Sequence, residues 1–197
     1  MLIVNSAERY SFLTKLLHWL IVLLFAFQYF AGHLMVAMLH GDWGLSTKSV
    51  VLSLSMNNWF NWHKSIGLVV LLIVVLRLLN RTFNSLPAWA PTLTEGEKKA
   101  MHHYERLLYL GMLIMPISGF VYTMAAGYGV HLFEMQHLPN PIGKWKELGW
   151  VAKWVHIVSA WIVVAALAAH LFVVFRHQFF VRDNLFNRMW FGRGPNS

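Results

Sequence analysis

The sequence predicts an all-α, polytopic membrane protein folded as a four-helix bundle. Three observations predict it. Four segments are apolar for long enough to cross a bilayer. Charged residues make up 12% of the 197 positions, about half the ~25% usual in soluble domains. Mean hydropathy is +0.50. So apolar a surface would not stay dispersed in water, which argues against a soluble globular enzyme, and so apolar a composition argues against a disordered chain. The length suits a single domain spanning residues 1–197.

A spanning helix needs about 20 mostly apolar residues. The first segment runs over about 13–36 and contains WLIVLLFAF; the second, about 62–79, contains IGLVVLLIVVL. The third covers about 104–126 and includes Pro116; the fourth covers about 151–175 and contains WIVVAALAAH. All are too long and continuous for strands. A proline in a spanning helix is tolerated when neighbours satisfy the freed carbonyl. The first segment has an apolar core longer than a signal-peptide h-region and no small-residue cleavage site after it, so it reads as a retained anchor. Each connection is about 24 residues, too short for a soluble domain. Thr94 followed by Glu97 is a capping-box pattern that predicts a helix start before the third span. There is no internal repeat and no low-complexity stretch.

The formal net charge is +8. In a soluble chain this would suggest nucleic acid. Here anionic lipid and the positive-inside rule account for it. The side holding both termini and the second connection carries 11 Lys and Arg, Arg193 among them, against 5 on the other (Lys48, Lys64, Lys144, Lys146, Lys153). Both termini are therefore expected in the cytoplasm. The absence of cysteine excludes disulfides, thiolate zinc sites, iron–sulfur clusters and covalent c-type haem.

The chain holds 11 His against 8 Asp and Glu. A histidine within a span is by default a functional candidate, and four lie in or at the ends of spans: His18, His63, His156 and His170. His156 and His170 are 14 residues apart, nearly four full turns, so they share one helix face about 21 Å apart along the axis. With alternating helix directions, His18 meets the depth of His170, and His63 that of His156. Two cross-helix imidazole pairs are what six-coordinate haem b irons require. A structural zinc would want four ligands at one point. Taken singly, each histidine has another reading, a hydrogen bond to a carbonyl or a place in a water cavity. The 14-residue offset also places Gly32 on the His18 face and Arg77 on the His63 face. Gly32 and Gly67 are candidates to let a macrocycle lie close, or ordinary helix-packing glycines. Arg77 is a candidate partner for a propionate, or a side chain snorkelling to the interface.

These stretches resemble the bacterial cytochrome b561 family, the small dihaem membrane cytochromes. The resemblance rests on LTKLLHWLI, WHKSIGLVVLLIVVLRLLNR, MPISGF and WVHIVSAWIVVAALAAHLFVVFRHQFFVRDNLFNRM, covering Ser11 to about Met189. It implies two b haems with axial ligands His18, His63, His156 and His170, electron transfer across the bacterial inner membrane, and ubiquinone as the lipid-side partner. One branch of the family oxidises superoxide at the outer face. Related cytochrome b subunits of hydrogenases and formate dehydrogenases share the fold class and pass electrons from a soluble partner to quinone. The outer connections 37–60 and 127–150 are longer than the family pattern and rich in Trp and His.

Further candidates follow. Lys64 and Lys153 flank the outer ligands and would draw an anionic donor, or simply mark the membrane surface. His177, seven residues after His170, is a candidate proton donor or quinone contact with Asp183 as relay. It is also an alternative ligand, but His170 better matches the depth of His18. His102 and His103 have similar potential or are solvated. His33, His40, His131 and His137 read as surface histidines, with metal or donor contact a lesser reading. Trp19, Trp43, Trp59, Trp62, Trp145, Trp150, Trp154 and Trp161 read as an aromatic belt or as packing around haem. A proton- or metal-transporting alternative is disfavoured because intramembrane carboxylates and paired broken helices are missing.

Overall fold

The structure, a computed structural model, describes residues 3–7, 9–183 and 185–191. Arg193 and Asn184 of the RDN stretch lie outside the described residues. Four long helices make up the bundle: α1 (Phe12–His40), α2 (Met56–Phe83), α3 (Glu95–Ala125) and α4 (Lys146–Arg176). Each is long and apolar enough to cross a membrane. The α3–α4 connection forms a small antiparallel hairpin, β1 (His131–Leu132) and β2 (Gln136–His137).

The helices outrun most of the apolar segments that predicted them, because caps rather than hydropathy set their ends. Ser11 caps α1, accepting from the Thr14 N–H at 3.1 Å, while Asn5 Oδ1 accepts from the Ser11 N–H at 2.8 Å. Gly41 closes α1 in the left-handed region at φ +82°, its N–H on the Ala37 carbonyl, as C-terminal glycines do. Thr94 and Glu97 form the expected capping box, with Thr94 N–H donating to Glu97 Oε2 at 2.9 Å and Glu97 N–H to Thr94 Oγ1 at 3.3 Å. Pro116 lies inside α3, which runs on to Ala125. Below α4 the chain continues as a π-helical turn, His177–Val181. Left-handed Arg182 ends this turn by donating its N–H to the His177 carbonyl at 2.7 Å.

The chain divides into two compact units. The first contains Met1–Leu20, Ile73–Leu113 and Val158–Ser197; the second contains Ile21–Leu72 and Ile114–Ile157. Each unit takes one stretch of all four helices. In the second, Ala31, Leu34, Met35, Met38 and Trp59 form a buried cluster. Trp59 is 2% exposed and belongs to this core rather than to an aromatic belt. In the first, α3 and α4 approach closely at Gly111, where a Cβ would lie 2.5 Å from Val163 Cγ2. Leu23, Leu72 and Phe172 remain exposed, as lipid-facing side chains do.

Candidate functional site

In the second unit α2 presents His63 and α4 presents His156, with ring centres 6.3 Å apart. Two imidazoles on opposite sides of one metal, each nitrogen about 2.0 Å from it, have ring centres about 6.3 Å apart. His156 Nδ1 sits 2.7 Å from the Met115 carbonyl oxygen. A carbonyl can only accept, so Nδ1 carries the proton and Nε2 keeps its lone pair, the tautomer of a metal-ligating histidine. His63 Nδ1 is buried and has no hydrogen-bond partner among the described residues. Space beside the His156 ring comes from glycine, since a Cβ at Gly119 would lie 2.8 Å from His156 Nδ1, whereas one at Gly32 would make only an ordinary contact, 3.7 Å from His63 Cε1. Gln28 Nε2 donates to the His63 carbonyl at 2.9 Å, fixing α1 on α2.

Donor set, ring separation and glycine clearance all fit a bis-imidazole iron. Gly67 has a different role. A Cβ there would meet Gln28 Nε2 at 3.0 Å, so this glycine admits the α1 side chain that braces His63. Gly119 and the Met115 carbonyl were not expected from sequence. Their signal is a glycine in MPISGF on a helix that supplies none of the four paired histidines.

In the first unit Arg77 on α2 stands beside His18 on α1, and His170 on α4 belongs to the same unit. Arg77 Nη1 lies 2.8 Å from His18 Nδ1, and its Nε donates to Tyr109 Oη at 3.0 Å. Arginine only donates, so His18 Nδ1 accepts and the neutral ring carries its proton on Nε2. Ligation through Nε2 then requires this contact to release. A carboxylate is the bidentate partner a guanidinium prefers, so the residues fit a haem whose propionate takes Arg77. Beside them, Arg81 and Glu105 form a two-pronged ion pair, and a cavity of about 40 Å³ opens between Tyr10, Thr14, Arg77, Asn80 and Tyr109.

His177 also belongs to the first unit and is fully buried. Its Nδ1 lies 2.6 Å from Asp183 Oδ2 and its Nε2 lies 3.3 Å from Glu97 Oε1. Both nitrogens are thus engaged by carboxylates and not presented to a metal. Glu97 pairs with Arg176; Thr92 and the Leu185 N–H donate to Asp183. Burial would raise the Asp183 carboxyl, but hydrogen bonds from Thr92, His177 and Leu185 outweigh it and hold the group below its ordinary value.

The outer cations do not form a simple rim. Lys64 Nζ donates to the Gly129 carbonyl at 3.1 Å, tying α2 to the α3–α4 connection, whereas Lys153 is exposed. His102 packs edge-on against Trp89, and His33 Nδ1 meets the Tyr29 carbonyl one turn back. His40 and His103 are exposed.

Comparison with known proteins shows the family. The family model described as prokaryotic cytochrome b561 matches residues 9–192. Cytochrome b561 homolog 2 of Escherichia coli (strain K12) is 26% identical over 185 residues, covering 94% of this chain and 93% of that protein. With four membrane-spanning helices and a match over nearly its whole length, the chain belongs to the prokaryotic cytochrome b561 family.

Proposed function

We propose that the chain moves electrons across the bacterial inner membrane through two b haems, one held by His63 and His156, the other by His18 and His170. The donor is a small outer-face anion such as superoxide, the acceptor ubiquinone, and both termini face the cytoplasm. The observation that carries this reading is the His63–His156 ring separation of 6.3 Å together with the proton placement on His156. Haem b supplies reversible one-electron chemistry at each site.

The protein's own residues supply the rest. The Met115 carbonyl fixes the His156 ring and its tautomer. Gly119 keeps the space beside the His156 ring clear. Arg77 offers its guanidinium to a carboxylate once it leaves His18. Reducing one ubiquinone takes two electrons and two protons, and two superoxide ions supply the electrons while leaving as two O₂. His177 can deliver a proton and recover it through Asp183, to which its Nδ1 is bonded.

A second reading has one observation in its favour. Lys64 is committed to the Gly129 carbonyl, which leaves Lys153 to draw an anion, while Tyr128 and Met135 stand exposed on the same connection. That surface suits a soluble redox protein, with the chain as the cytochrome b subunit of a dehydrogenase or hydrogenase.

The test is anaerobic addition of superoxide to the oxidised, detergent-purified protein, with and without a quinone analogue. Reduced haem absorbance that discharges on adding quinone is the expected result. No reduction by superoxide, but reduction by a purified dehydrogenase, would select the second reading.

A further inference from the structure

The α3–α4 connection carries another histidine pair, outside the spans and unused above. His131 and His137 oppose each other directly across the β1–β2 hairpin, with ring centres 4.6 Å apart. Two imidazoles in adjacent positions on one ion, each nitrogen about 2.0 Å away, have ring centres about 4.5 Å apart. The contrast with His63 and His156 at 6.3 Å is that between adjacent and opposite coordination.

The hairpin is held in this register. Ser65 Oγ donates to the His131 carbonyl at 3.2 Å and accepts from the Phe133 N–H at 2.8 Å. Asn58 Nδ2 donates to Glu134 Oε1 at 2.6 Å, and Trp62 packs edge-on against Phe133. Phe133 and Glu134 sit at φ +48° and +64°, a region that non-glycine residues keep only where surrounding contacts enforce it. Glycine at 129 makes room for one ring, since a Cβ there would lie 3.0 Å from His137 Nε2. Both histidines are exposed, so an ion can reach them from solvent.

We propose that His131 and His137 together bind one late first-row divalent cation, with Cu(II) preferred. Imidazole pairs suit copper, nickel and zinc, and affinity along that series peaks at Cu(II). Among the described residues no group of three or more His, Asp or Glu gathers to hold a metal. Water fills the remaining positions, which makes this an exchangeable site and not a structural one.

The test is a Cu(II) titration of the full-length, haem-loaded protein in detergent, purified without a polyhistidine tag. Calorimetry should give one ion per chain. Single His131→Ala or His137→Ala variants should bind at least tenfold more weakly, while His33→Ala and His40→Ala match the parent. An unchanged haem spectrum checks that each variant is folded. Electron paramagnetic resonance of the unaltered chain decides independently, through hyperfine coupling to two imidazole nitrogens. Coupling to one nitrogen or none, or equal affinity in the parent and the His131→Ala and His137→Ala variants, would overturn the proposal.

Discussion

The two units solve one problem, presenting a histidine from α4 with one from α1 or α2, in opposite states of readiness. In the second unit the Met115 carbonyl holds the His156 proton on Nδ1, and the two rings stand at ligating separation. In the first, Arg77 occupies His18 Nδ1, so that ring is in the tautomer that does not ligate through Nε2. Backbone organises one site. A charged side chain, held by His18 and Tyr109, occupies the other. The second site should therefore fail when its space is invaded, and the first when its charge is removed.

The largest effect is expected at Gly119. An added Cβ would fall 2.8 Å from His156 Nδ1, inside any tolerable contact, so Gly119→Ala should displace the ring and empty the second site. Haem content should fall towards half, read by pyridine haemochrome, with the first site retained. Arg77→Ala should come next. It removes the guanidinium offered to a propionate, and a hydrogen bond between charged groups contributes about 1.5–3 kcal/mol, so haem titration of apoprotein should show the first site weakened by about tenfold or more. Arg77→Lys should rescue it only in part, because an ammonium lacks the planar fork.

A smaller effect is expected at Asp183. Its carboxyl lies below its ordinary value when folded, so the unfolded chain binds the proton more tightly. The stabilisation is then fully present above about pH 4, the ordinary carboxylate range, and is lost as pH falls through the folded value. Thermal midpoints of the parent and Asp183→Asn should differ by a constant amount above about pH 4 and converge below it. The smallest effect belongs to Gly32→Ala. Its Cβ would stand 3.7 Å from His63 Cε1, an ordinary contact, so haem content and spectrum should stay near the parent's. A Gly32→Ala loss as large as that of Gly119→Ala would break the comparison between clearance and contact.

The bundle was readable because spans advertise themselves by unbroken apolar runs, and the Thr94–Glu97 box announced its helix start. The far end of α1 and the start of α2 were not, because α1 runs on to the closing Gly41 and α2 begins just after Ser55, whose Oγ accepts from the Asn58 N–H at 3.4 Å, both beyond the apolar stretches. Helical phase placed the four histidines in two groups, and the units keep the groups separate. It could not show that Arg77 would meet an imidazole, since a propionate partner leaves the same sequence trace. Nor could it show that Lys64 would close on a loop carbonyl. The β1–β2 hairpin was invisible for a plainer reason. Its strands are two residues each, and its turn places Phe133 and Glu134 where glycine or asparagine is the usual signal.

The most direct measurement is haem per chain in the parent, His63→Ala and His18→Ala proteins, by pyridine haemochrome against amino-acid analysis. Two haems are expected in the parent and one in each variant, with the two variants losing different spectral components. One haem in the parent, or two haems persisting in either variant, would contradict this.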